Sequence, residues 1–288
     1  MQGLRVSFIE AGFTKHLEAV SMLGGRWKTI RFPASVAVIE HPREGVILFD
    51  TGYSARFHEQ TKYFPNKFYS LITPVTILPE HTALAQLQAR GISTRDVRHV
   101  ILSHFHADHI GGAADFPYAK YVYRGISHRT VRDLSSWGKL LAGFLSGLLP
   151  DDFERRGRVL EDADFRPGSY GFHDYDLACD LFGDGSLLVV DLPGHAAGQI
   201  GLMVRAETGE RYFLVADACW GEKSYRELRA PNPIVRGIFN DWRAYKHTLG
   251  KIQALSVREP QIKIVPCHCD QTLAGLHVPH AHSGHTHV

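Results

Sequence analysis

The sequence predicts an α/β protein built as a four-layer αββα sandwich. Three observations carry that expectation: many short apolar, β-branched runs, helical periodicity between some of them, and early runs too close together for crossover helices. The last point requires part of the sheet to be antiparallel, because a parallel pair needs a crossover of a dozen or more residues. The runs are Leu4–Ile9, Ser35–Ile39, Val46–Phe49, Val97–Leu102, Tyr121–Tyr123, Leu187–Asp191, Gly201–Val204, Tyr212–Val215 and Ile262–Val265. Each fits a buried strand. Helical spacing is clearest at Glu80–Arg90, where Leu84 and Leu87 share a face and Gly91 provides a stop, and at Asp241–Leu255, with Asp241 as its cap. Two ladders of strands, each followed by a helix, suit four layers.

Residues 1–276 read as one domain with irregular insertions near 53–79 and 137–175. The first insertion is rich in aromatics and prolines, and the second contains the apolar run Leu140–Leu149. That run is well short of the roughly 20 residues that cross a bilayer, so no transmembrane segment is expected. Plain packing, a lid over an apolar site, and an oligomer or membrane-surface contact all remain open for it. Residues 277–288 carry five histidines among small and polar residues and read as a flexible tail.

At 288 residues and 44% hydrophobic, the chain can bury a large core. Its 32 basic and 30 acidic side chains nearly cancel, so nucleic acid is not the expected partner. Four cysteines are too few for a disulfide framework, and the amino-terminal segment lacks the pattern of a secretory leader. Reduced thiols and a cytoplasmic location are the expectation. Eighteen histidines stand out, and imidazole is the commonest metal ligand.

The densest chemistry follows a strand pattern: Ser103-His104-Phe105-His106-Ala107-Asp108-His109-Ile110-Gly111-Gly112. In extended chain His104 and His106 point the same way, while a turn at Ala107 aims Asp108 and His109 at an adjoining point. Neutral imidazoles and a carboxylate packed together lose hydration without return unless a cation or hydrogen bonds hold them. Such a pattern suits two neighbouring metals.

This segment resembles the HxHxDH signature of the metallo-β-lactamase superfamily. Pro193-Gly194-His195, Val215-Ala216-Asp217 and Pro266-Cys267-His268 resemble its later ligand motifs, and Phe49-Asp50-Thr51-Gly52 its early strand-end motif. The resemblance implies that His104, His106 and His195 hold one metal, that Asp108, His109 and His268 hold a second, and that Asp217 bridges both. Asp50 would support the ligands from behind, and Gly111 and Gly112 would permit close approach. It also implies two divalent ions, zinc first, with iron, manganese and cobalt acceptable to the same donors. The expected chemistry is hydrolysis by a bridging hydroxide, with Asp108 passing a proton to the leaving oxygen.

Within the superfamily the pattern is most similar to the N-acyl homoserine lactonase-like hydrolases, so a lactone or other ester is the expected substrate. Lactonases of that group place a tyrosine three residues after the bridging aspartate, whereas Trp220 stands there. Trp220 and Phe105 are the candidate substrate contacts. Trp27, Tyr53, Phe64, Phe68 and Phe144 could add to an apolar pocket for a small-molecule substrate. Other readings are mononuclear-iron oxygen or sulfur chemistry, phosphodiester hydrolysis, and a binding module without catalysis. Residue by residue, His195 and His268 could be turn histidines, Asp217 a helix cap, Asp50 a turn residue, and Cys219, Cys267 and Cys269 packed thiols.

Overall fold

A computed structural model describes residues 4–168, 175 and 177–276. The histidine-rich segment 277–288 and part of the second insertion lie outside the described residues. Thirteen strands are described: β1 (Arg5–Leu17), β2 (Thr29–His41), β3 (Gly45–Phe49), β4 (Val75–Thr76), β5 (Val97–Ile101), β6 (Lys120–Arg124), β7 (Gly157–Leu160), β8 (Arg166–Pro167), β9 (Leu177–Asp180), β10 (Leu187–Asp191), β11 (Ile200–Arg205), β12 (Arg211–Ala216) and β13 (Ile262–Pro266). They form a seven-stranded sheet, β4-β1-β2-β3-β5-β6-β7, and a six-stranded sheet, β13-β12-β11-β10-β9-β8. Both are mixed: β3, β5, β6 and β7 run parallel, as do β12 and β13, and the remaining pairings are antiparallel.

Alternation along the strands explains the layering. In β10, Leu187 and Val189 enter the core between the sheets, while Leu188 and Val190 face the core under the helix Trp242–Arg258. In β3, Ile47 and Phe49 face the intersheet core, and Val46 and Leu48 face outward to a core closed by the helix Ala83–Ala89. A strand buried on both faces needs apolar residues at every position, which is why these segments read as continuous apolar runs. The result is the expected four layers.

The expected helices form with shifted bounds. Thr82 caps Ala83–Ala89 by accepting from the Ala85 amide at 3.2 Å, so a 3₁₀ turn at Pro79–His81 replaces the first turn expected from Glu80. Asp241 caps Trp242–Arg258, accepting from the amides of Arg243 and Ala244 at 2.8 and 2.9 Å. Three short strands, β4, β7 and β8, fall inside the stretches expected to be irregular. Each has four residues or fewer, too little alternation to register in sequence. The four cysteines are free thiols. Among the described residues no helix is long and apolar enough to cross a membrane.

Candidate metal centre

Every proposed ligand, and the supporting Asp50, leaves the carboxyl end of a strand: Asp50 follows β3, His104 to His109 follow β5, His195 follows β10, Asp217 follows β12 and His268 follows β13. In mixed α/β sheets that rim is where loops from parallel strands converge on a ligand. Close packing fixes the loops. The amide of Thr51 donates to the His109 carbonyl at 2.9 Å, and the Gly112 amide donates to Thr51 Oγ1 at 3.1 Å. A Cβ on Gly111 would stand 2.5 Å from the Gly52 carbonyl oxygen, so only glycine allows this approach. The His195 loop is held against the long helix by the Asp241 amide on the Gly194 carbonyl at 2.9 Å and Thr248 Oγ1 on the Pro193 carbonyl at 2.7 Å.

Hydrogen bonds behind the imidazoles aim them. Asp50 is buried, with φ 63, and its Oδ1 accepts from the Ser103 amide at 2.8 Å. Its Oδ2 accepts from Ser103 Oγ at 2.8 Å and from His109 Nδ1 at 2.7 Å. Ser103 Oγ lies 3.0 Å from His104 Nδ1, and His268 Nδ1 donates to the Pro33 carbonyl at 2.7 Å. With Nδ1 engaged, each of these three rings turns Nε2 toward the centre.

Two donor sets result, and in each the donor atoms all lie within 4.8 Å of one another: His104, His106, His195 and Asp217, and then His109, Asp217, Cys267 and His268. Asp217 belongs to both. Its Oδ2 is 3.1 Å from His195 Nε2, and its Oδ1 is 3.3 Å from His109 Nε2 and 3.1 Å from His268 Nε2. Asp108 stands beside the second set, with Oδ2 3.3 Å from His268 Nε2 and 3.6 Å from His109 Nε2. The geometry therefore brings together all seven residues expected as ligands. It also adds Cys267, which reads in sequence as one thiol among four.

The donor set fits cations. His104 Nε2, His109 Nε2 and Asp217 Oδ1 are buried without a hydrogen-bond partner. Each such atom costs about 1–3 kcal/mol unless something binds it. Burial pulls His104 well below the usual imidazole range and His195 down to about 3, so both are neutral ligands. Burial would raise the Asp217 carboxyl, but His268, His195 and His109 outweigh it and hold the group anionic. Burial likewise opposes the charged form of His109, yet Asp108 and Asp50 hold it well above the usual range. The second half of the cluster is thus anionic enough to demand positive charge.

The cluster forms the floor of a cavity of about 610 Å³. Phe32, Tyr53, Phe68, Tyr69, Trp137, Leu140, Leu141, Trp220, Val235 and Ile238 line it, with Thr14 and His16 at one side, and among the described residues no lysine or arginine does. Part of the second insertion, Trp137 to Gly143, is therefore cavity wall. Trp220 faces the cavity, but its indole N–H donates to Asp217 Oδ2 at 3.0 Å and is committed there. Phe105 is placed otherwise than expected. It is 2% exposed among Tyr123, His128, Phe144 and Phe153, and it reaches only a smaller side cavity. The alternation that points His104 and His106 inward turns the intervening Phe105 into the core. Phe144 joins it there, Trp27 is 84% exposed, and Phe64 packs edge-on against Phe68 from outside. Thr14, His16 and Tyr69 were missed, because nothing in their local sequence marks them as neighbours of the site.

Comparison with known proteins agrees with this geometry. The family description of the metallo-β-lactamase superfamily matches residues 29–268. The chain is 26% identical over 235 residues to N-acyl homoserine lactonase AttM of Azorhizobium caulinodans, covering 80% of this chain and 82% of that protein. It is 28% identical over 233 residues to a probable metallo-hydrolase of Mycobacterium tuberculosis, covering 78% and 67%. A solved N-acyl homoserine lactone hydrolase, with N-hexanoyl-L-homoserine bound at its catalytic metal centre, superposes with a TM-score of 0.71 at 17% identity, covering 96% of this chain and 98% of that one. The dizinc quorum-quenching lactonase AidC does so with a TM-score of 0.63 at 16% identity, covering 93% and 88%. At such identities the structural likeness shows the fold alone.

Proposed function

Because the chain belongs to the metallo-β-lactamase superfamily, we propose that it is a two-cation hydrolase that opens lactones, or cleaves related esters, carrying an apolar substituent. The observation that supports this most is the pair of donor sets sharing Asp217 at the floor of an apolar cavity. His104, His106 and His195 would hold one ion, Asp108, His109 and His268 the other, and Asp217 both. Bound there, a divalent pair supplies a water of lowered pKa and a Lewis-acid pull on the carbonyl oxygen.

The chain's own groups do the rest. Asp50 and Ser103 keep His109 and His104 in the tautomers that present Nε2. Asp108 is only partly buried and lies at the cavity, where its carboxylate can carry a proton to the leaving oxygen. The aromatic and aliphatic walls exclude water and take up an acyl chain. Relatives named as N-acyl homoserine lactonases support a substrate that combines a lactone ring with such a chain. The second donor set favours this reading over single-iron chemistry. The absence of lysine and arginine from the lining favours it over phosphodiester hydrolysis.

The test is a hydrolysis screen of lactones, aryl esters and phosphodiesters on protein whose metal content is measured in the same sample. Turnover of lactones, lost by orders of magnitude in His106→Ala and Asp108→Asn, is expected. Protein loaded with two ions that cleaves no lactone or ester would overturn the proposal.

A further inference from the structure

We propose that Cys267 is a donor to the second cation, adding a sulfur to the two nitrogens and the carboxylate oxygens there, while the first position has three nitrogens and oxygen. This rests on the two-cation reading above and goes beyond it in assigning the thiol.

The placement of Cys267 carries the argument. Its sulfur lies with donor atoms of His109, Asp217 and His268, all within 4.8 Å of one another, and all four residues are more than nine-tenths buried. Two of these partners aim unpaired atoms into the set, His109 Nε2 and Asp217 Oδ1. The backbone of Cys267 is pinned on both sides. Its amide donates to the Ala216 carbonyl at 3.3 Å, and its carbonyl accepts from the Ser35 amide at 3.3 Å and from Ser35 Oγ at 2.8 Å. The sulfur's hydrogen bond to the Ser35 carbonyl oxygen spans 3.6 Å, and a thiol is a weak donor that gives up little on coordination. Cys219 and Cys269 are also buried beside ligands, yet neither belongs to a donor set.

Coordination forms a sulfur–metal bond and releases the thiol proton to solvent. A thiolate is a soft donor, so the second position should favour zinc, cobalt or cadmium over manganese or magnesium. The two ions would then differ in affinity and in exchange.

The test uses the full chain loaded with cobalt. As the second equivalent binds, a sulfur-to-cobalt charge-transfer band should appear in the near ultraviolet. It should vanish in Cys267→Ser and persist in Cys219→Ser and Cys269→Ser. In competition, the preference of the second position for zinc over manganese should fall about tenfold in Cys267→Ser, the scale on which ligand-shell changes act. X-ray absorption of the zinc-loaded parent protein needs no variant and should show a sulfur neighbour at about 2.3 Å. Two equivalents bound without a sulfur band or sulfur neighbour, or a band that survives Cys267→Ser, would overturn the assignment while leaving the two-cation reading intact. Failure to bind a second equivalent at all would overturn both.

Discussion

The indole N–H of Trp220 donates to Asp217 Oδ2 across 3.0 Å, tying a cavity-lining aromatic directly to the carboxylate shared by both donor sets. The ring also packs edge-on to His195 and Phe32. Hydrogen bonds to charged groups contribute about 1.5–3 kcal/mol. Trp220→Phe keeps much of the ring and removes the donor, so metal affinity measured by chelator competition should fall roughly tenfold or more. Unchanged affinity with an unchanged fold would show that Asp217 needs no such partner.

Asp50 acts at one remove. Its two oxygens hold Ser103 and His109, and Ser103 in turn meets His104, so one carboxylate sets a ligand in each donor set. Asp50→Asn should reduce retained metal after dialysis and lower kcat/KM, each on the order of 10–100-fold. Retention of both ions with full activity would refute this relay.

Gly111 tests the packing of the ligand loops. An added Cβ would meet the Gly52 carbonyl oxygen at 2.5 Å, and backbone cannot swing aside as a side chain can. Overpacking of this kind costs about 1–3 kcal/mol. Gly111→Ala should therefore shift the urea midpoint downward and weaken metal retention together, since His109 lies two residues away.

Substrate length should be read by the cavity wall. Phe68 and Trp137 line the cavity and pack against each other at a tilt with centroids 5.7 Å apart. Each methylene buried is worth about 0.8 kcal/mol. Phe68→Ala and Trp137→Ala should raise KM more for long acyl lactones than for short ones, with kcat little changed. An equal loss at every chain length would place the acyl chain elsewhere.

Two histidines outside the proposed ligand set make stability depend on pH. Burial lowers His99 and His128 below the ordinary imidazole value of 6.5, outweighing the nearby Glu44 and Glu154. Below pH 6.5 the unfolded chain therefore binds more protons than the folded one. Stability falls as pH drops from there to the folded values and then levels off. The melting temperature of His99→Gln/His128→Gln should decline less than the parent's between neutral and mildly acidic pH. Parallel declines would show that neither ring contributes.

The ligand set was legible because it is locally dense. His104 to His109 crowd one strand end, and the later ligands each follow an apolar run in the sequence. The layered fold was legible for the same reason, since strands buried on both faces leave unbroken apolar segments. What escaped reading depends on long-range contact. Cys267 joins a donor set where Cys219 and Cys269 do not, and its backbone is held there by Ser35, 232 residues away in sequence. Thr14, His16 and Tyr69 reach the cavity from distant parts of the chain, and the commitment of the Trp220 N–H to Asp217 depends on a rotamer.

The loops that carry the proposed ligands grow from strands embedded on both sides, whereas much of the pocket's outer wall comes from the two stretches inserted between them. Reactivity and selectivity are thereby housed in different parts of the molecule. Changes at Phe68, Trp137 or Leu141 can retune which molecules enter without disturbing the proposed ligands, so divergence among descendants of this scaffold should concentrate there.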